Sequence, residues 1–292
     1  MTAWRFVLVF GTVSLLADVV YEGARSITGP LLASLGASAV VVGVVTGAGE
    51  AAALVLRLVS GPLADRTRRF WTFTIAGYAL TVITVPLLGL AATLGVASVL
   101  VIAERVGKAI RSPAKDTLLS HATAVTGRGR GFAVHEALDQ IGAVLGPLTV
   151  AAVLVASGGN YTPALLVLAA PGVAALALLA WLRARVPDPA AYEPPAVAVP
   201  ATTAAGAPAS RNGPGGSPTE ATRLPRQFWI YAGFTAATTL GFTTFGVLSF
   251  HLVERGLLPA AGVPVLYAAA MGVDALRRHG AHPVRAHPDR IG

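Results

Sequence analysis

Ten ionisable residues stand inside long apolar stretches of this sequence: Asp18, Glu22, Arg25, Glu50, Arg57, Glu104, Arg105, Lys108, Glu136 and Asp139. Six are acids and four are bases. Asp18, Glu22 and Arg25 lie at i, i+4 and i+7, one stripe of a helix. Glu104, Lys108 and Arg111 repeat that spacing. Glu50 and Arg57 share a face, as do His135, Asp139, Gly142 and Gly146. Burial in a low-dielectric cavity favours the protonated form of a carboxylate, and a neighbouring arginine opposes that. Moving the arginine would switch proton affinity, which is how a proton gradient could drive another solute. Asp18 and Glu22, two acids with one base on their stripe, exceed what pairing needs. With Arg25, Arg105 and Lys108 they form the candidate cavity. Glu50 and Arg57 read as a pair locking one helix. His135 reads as a hydrogen-bonded packing residue. Glu136 and Asp139 read as a cytoplasmic gate paired with Lys108, Arg111 or the basic loop Arg66–Arg69, and structural pairing alone fits them equally well.

Other chemistries find little support. The chain has no cysteine, so thiolate nucleophiles, disulfides and cysteine metal sites are excluded. The six histidines are scattered or lie near the end of the chain, without metal-ligand spacing. No G-x-x-x-x-G-K-S/T loop points to ATP, and no G-x-S-x-G frames a serine nucleophile. The sequence predicts no enzyme and no cofactor, with a proton gradient as the energy source.

The elements that must carry these charges are apolar. Of 292 residues, 54% are hydrophobic and 12% charged, and the mean hydropathy is +0.66. Soluble domains carry about 25% charged residues. A helix needs about 20 apolar residues to cross the hydrocarbon core. Six stretches qualify, roughly Trp4–Leu32, Ala39–Ser60, Phe70–Ala92, Val96–Arg111, Phe132–Ala156 and Pro163–Leu182, the fourth continuing as a polar extension. Each charge at the bilayer centre would cost about 2.5–3.5 kcal/mol, and ten unpaired roughly 25–35 kcal/mol. They must therefore face protein or water and pair with one another.

Arginine placement sets the expected orientation. Arg66, Arg68 and Arg69 follow span two, Arg128 and Arg130 follow span four, and Arg183 and Arg185 close span six. The alternate turns, Ala33–Ser38, Thr93–Gly95 and Ser157–Thr162, hold no Lys or Arg. This positive-inside pattern places the N-terminus and residues from 184 onward in the cytoplasm, with the chain in the inner or plasma membrane. It also explains the net charge of +8 without nucleic acid. Residues 184–226 hold nine of the 20 prolines and read as an unstructured cytoplasmic linker. A seventh span is expected at about Gln227–Phe250. An eighth begins near Ala260 but meets Asp274 too soon to cross.

Six spans, a long linker and a new span resemble the layout of the major facilitator superfamily. Gly61-Pro-Leu-Ala-Asp65-Arg66-Thr-Arg68-Arg69 resembles that family's loop G-x-x-x-D-R-x-G-R-R/K, matching at Gly61, Asp65, Arg66 and Arg69. Arg68 stands at the second glycine and Phe70 at the last basic position. Arg105 resembles the mid-helix arginine of a second motif. Gly142, Gly146 and Pro147 resemble the first half of the antiporter motif, with Val150 and Ala151 at its closing glycine pair. YEGARSITGP, GKAIRSPAKD and HEALDQIGAVLGP look like one prokaryotic branch. Independently of the family, Gly43-x-x-x-Gly47 and Gly142-x-x-x-Gly146 read as close-packing sites.

The resemblance implies an all-α, polytopic transmembrane bundle whose two halves rock about a midplane site. It makes spans one and four cavity-lining and assigns the Asp65 loop to closing the cytoplasmic side. The sequence holds one complete six-helix half (1–183), the linker (184–226), the start of a second half (227–275) and an Arg/His-rich tail (276–292). Twelve spans need about 400 residues. The expectation is therefore a truncated chain with a shifted reading frame at its end, the alternative being a short protein with a soluble tail. The implied function is a secondary transporter of a small organic solute, proton-coupled, with export favoured by the partial antiporter motif. A non-transporting fragment is the second reading and a membrane scaffold or sensor the third. As given, the chain is expected not to transport.

Overall fold

A computed structural model of the chain describes residues 1–192, 226–227, 229–231, 233–234 and 244–280. Among these residues the regular structure is all helical. The helices are α1 (Ala3–Ser34), α2 (Ala39–Thr67), α3 (Phe70–Gly89), α4 (Leu94–Thr126), α5 (Arg128–Ala156), α6 (Tyr161–Leu166), α7 (Ala169–Arg185), α8 (Phe245–Glu254) and α9 (Gly262–Gly280). A short 3₁₀ turn, Pro189–Tyr192, follows α7.

Local chemistry explains where they start. The hydroxyls of Thr2, Ser38 and Thr93 accept from the amides of Arg5, Val41 and Val96, each 3.4 Å away, and so cap α1, α2 and α4. Asn160 caps α6 through Thr162 N at 3.0 Å. The expected sixth span is divided into α6 and α7. Pro171 has no N–H to offer the carbonyl of Val167, which instead accepts from Ala170 N at 3.3 Å.

Five segments are long and apolar enough to cross a membrane: α1, α2, α3, 129–156 within α5, and Tyr161–Arg185 across α6 and α7. α4 does not qualify by composition, because it carries Glu104, Arg105, Lys108, Arg111, Lys115 and Asp116. Its 33 residues span about 50 Å, more than the roughly 30 Å hydrocarbon core, so it must project beyond. The outer surface is apolar. On α2, Val40, Leu54 and Leu58 are 74%, 60% and 77% exposed. An apolar exterior around buried charge is the arrangement lipid favours, and this is a multi-pass membrane protein.

α1 packs along α5 and α7, while α4 lies against both α2 and α3. Two apolar clusters fill the bundle. One gathers Val20, Ile27, Leu31, Leu154, Leu165 and Leu168; the other gathers Phe6, Phe10, Trp71, Leu118, Leu119 and Leu179. α8 packs on α1 and α2, and α9 on α5 and α1, so both belong to the same compact unit as residues 1–193. α9 runs to Gly280, beyond the Asp274 at which the sequence predicted its apolar run to end. The expected seventh span is described only in part, since 235–243 lie outside the described residues. The same holds for linker residues 193–225 and for 281–292. Residues 194–243 form a second unit, in which 226–227, 229–231 and 233–234 are helical and Trp229, Ile230, Tyr231 and Phe234 are exposed.

Candidate functional site

α1 and α4 run antiparallel, and their charged stripes meet rung by rung. Each step is three or four residues on both helices, about one helical turn. At the first rung Glu50 of α2 lies 3.2 Å from Arg25 and 3.5 Å from Arg105. Both guanidinium groups also donate to the Tyr21 hydroxyl, Arg25 at 3.1 Å. At the second, Glu22 lies 3.8 Å from Lys108, whose ammonium sits 3.5 Å from the centre of the Tyr21 ring. The Tyr267 hydroxyl of α9 donates to Glu22 Oε2 at 2.5 Å.

At the third rung Asp18 lies 3.8 Å from Arg111. That guanidinium stacks 4.4 Å from the Tyr78 ring and donates to Thr81 at 3.1 Å. At the fourth, Asp139 of α5 lies 3.5 Å from Lys115 and 3.7 Å from His135. Ser14 joins this rung to the third through Tyr78 at 3.2 Å and His135 at 3.3 Å. His135 also stacks on Phe10, with ring centres 6.0 Å apart.

Three expectations change. The surplus acid anticipated on α1 is not there, because Asp18 and Glu22 each take a cation from α4. Spacing along one helix cannot reveal a partner across an interface. Glu50 pairs with Arg25 and Arg105 rather than Arg57, which lies two turns along its own helix. Asp139 pairs with Lys115 and His135, not with Lys108, Arg111 or the basic loop. Lys108 and Arg111 are engaged by Glu22 and Asp18.

Glu136 accepts a hydrogen bond from Gln140 at 3.2 Å. Asp65 and Arg66 are exposed in the last turns of α2, and Arg69 is exposed at the start of α3. Gly61 faces Pro113 of α4 at ordinary contact distance. Arg68 adopts φ 51°, ψ 21°, the left-handed conformation, at the position where the family loop has glycine.

Gly142 and Gly146 lie directly on α1. A Cβ on either would run into the carbonyl oxygens of Leu15 and Val19. Pro147 follows within α5. Gly47, by contrast, faces open space, and Gly43 meets only the Val247 side chain at 3.6 Å, so that pair marks no close crossing.

Sequence reasoning missed Tyr21, Tyr78, Lys115 and Tyr267. Lys115 was readable, since it extends the 104–108–111 stripe by one turn. Tyr21 sits within the acidic stripe and could have been taken as the aromatic platform for its cations. Nothing in the sequence links Tyr267 to Glu22. Among the described residues no cluster of three or more His, Asp or Glu could hold a metal ion.

The chain matches the model of the Major Facilitator Superfamily over residues 12–277. It is 68% identical over 278 residues to uncharacterized proteins of Mycobacterium tuberculosis and Mycobacterium bovis. Those matches cover 94% of this chain and 64% of each relative. It is 31% identical over 140 residues to an uncharacterized MFS-type transporter of Methanocaldococcus jannaschii, covering 48% of this chain and 35% of that protein. The chain thus spans just under two thirds of the length of its mycobacterial relatives.

Proposed function

The chain belongs to the Major Facilitator Superfamily, and from that premise we propose that it forms the charged half of a proton-coupled secondary transporter of a small organic solute. The observation that carries this reading is the ladder of acids and cations that α1, α2 and α5 build along α4. Isolated charges in hydrocarbon are costly, and a structural lock needs one pair, not a four-rung stack. A stack of rungs with shared cations offers exchangeable partners. Arg105 touches Glu50 and Tyr21 at once, so a solute group that displaced one contact would redistribute the rest. Positive-inside placement of arginine supports a cytoplasmic N-terminus and linker. The Gly142, Gly146 and Pro147 motif supports export.

The test uses a full-length protein in which the matched 278 residues of this chain replace those of the Mycobacterium tuberculosis relative. Proteoliposomes carrying a trapped pH dye are challenged with a panel of organic cations, weak acids and sugars. The expected result is proton flux that depends on at least one solute class. A folded protein giving solute-dependent uptake without proton movement would contradict the coupling. The 292-residue chain alone, run in parallel, is expected to give no flux, because alternating access needs two halves.

A further inference from the structure

Three arginines meet in a hollow between the start of α3 and the end of α7. Arg68 and Arg69 enter it from the turn before α3, and Arg183 from the last turn of α7. The hollow holds about 700 Å³. All three side chains are exposed, and among the described residues none of the three is in an ion pair. The acids nearest in sequence, Asp65 and Asp188, do not line it, and Asp188 already accepts from Ala190 N at 3.0 Å. Like charges that folding gathers and leaves unneutralised attract an anion.

The back wall is preformed. The Trp71 indole N–H donates to the Pro187 carbonyl at 3.0 Å and so ties the first turn of α3 to the segment after α7. The ring is held edge-on by Phe6 and Phe10, with centres 6.3 Å away in each case. Thr72 adds a hydroxyl to the lining.

Depth in the bilayer decides which anion. α3 has 20 residues and spans about 30 Å, the thickness of the hydrocarbon core. Its first turn therefore lies at headgroup level. From the hollow, exposed stripes continue toward the bilayer centre: Ala180, Ala177 and Val173 on α7, Thr72 and Ala76 on α3. α8 and α9 pack on α1, α2 and α5, so they do not supply the cover for this side. A free anion would use the arginines alone. A lipid would use the stripes as well.

We propose that this hollow binds one anionic phospholipid of the surrounding bilayer. Arg68, Arg69 and Arg183 hold its phosphodiester, and an acyl chain lies along the exposed stripe of α7. Guanidinium groups grip phosphate oxygens in pairs, and three of them without a competing carboxylate favour a charged headgroup over a zwitterionic one. Bound there, the lipid bridges α3 and α7, whether or not the protein transports.

The test is native mass spectrometry of the 292-residue chain, stripped of lipid in an uncharged detergent. It is titrated with phosphatidylglycerol or phosphatidylcholine carrying the same oleoyl chains. Wild type is expected to retain one phosphatidylglycerol about tenfold more tightly than phosphatidylcholine. Arg69→Gln combined with Arg183→Gln should erase that preference. Arg66→Gln combined with Arg130→Gln removes as much charge from exposed sites outside the hollow and should keep it. Equal retention of the two lipids by wild type overturns the proposal, a result that stands even if no variant folds. So does a preference that survives in the first double variant, or one lost equally in both, which would mark general surface attraction. Retention of inorganic phosphate as tightly as phosphatidylglycerol would mark a free-anion site and overturn it too.

Discussion

Tyr267 of α9 donates a 2.5 Å hydrogen bond to Oε2 of Glu22 in α1, two residues 245 positions apart in the chain. The hydroxyl closes the ladder from the side of α9, while the ring packs edge-on against Phe245 at 4.6 Å. Tyr267→Phe keeps the ring and removes the bond. A hydrogen bond to a charged group contributes about 1.5–3 kcal/mol. The variant should unfold at lower denaturant by that amount in detergent, and limited proteolysis should cut 244–280 sooner. Unchanged stability would mean the contact does not hold α9 in place.

The Asp18–Arg111 rung has side chains 18% and 4% exposed, so it behaves as a buried pair. Breaking such a pair from one side costs about 3–5 kcal/mol, whereas removing both partners costs much less. Arg111→Leu alone should strongly destabilise the bundle. Adding Asp18→Asn should recover most of the loss in a double-mutant cycle of chemical unfolding. Additive losses would show that the two side chains do not interact.

At Arg68 the backbone is left-handed without a glycine. The conformation costs an L-residue about 1 kcal/mol. Arg68→Gly should therefore leave the fold intact and raise stability by up to about that amount, offset in part by the greater entropy of the unfolded chain. A differential melting experiment on the purified protein reads it. Clear destabilisation would mean the Arg68 side chain makes a contact that outweighs the strain.

Gly146→Val should do the opposite. A branched side chain at Gly146 would collide with the Val19 carbonyl and the Gly23 amide of α1. Backbone cannot yield as a flexible side chain can, so overpacking should cost at least the usual 1–3 kcal/mol (roughly). The expected readout is loss of monodisperse protein on size exclusion in detergent. Wild-type yield and elution would show that α1 and α5 can separate at little cost.

Most of the helices were legible in the sequence because lipid allows few alternatives. Length and apolar content located α1, α2, α3 and α5 to within a few residues at most ends. α4 was legible as a span with a polar extension, although its charge removes it from the set of apolar helices. The sixth span was drawn as one helix, whereas the structure divides it into α6 and α7. At the site, the stripe spacing brought out Asp18, Glu22, Arg25, Arg105 and Lys108. It could not assign partners, because periodicity describes one helix and an ion pair needs two. That is why Arg111 was left to the gate and Lys115 was passed over. Tyr267 lies in a different part of the chain from everything it touches, and no local pattern announces such a contact.

The central claim is that the ladder that α1, α2 and α5 build along α4 couples proton movement to solute movement. Uncoupling tests it most directly. In proteoliposomes of the full-length hybrid described above, solute exchange down its own gradient and proton-driven accumulation are measured on the same preparation. Asp18→Asn combined with Arg111→Leu, which leaves no buried charge of that rung unpaired, is expected to retain exchange and lose accumulation, because the rung is gone and the ladder no longer switches. Proton-driven accumulation at the wild-type level in that double variant would contradict the account.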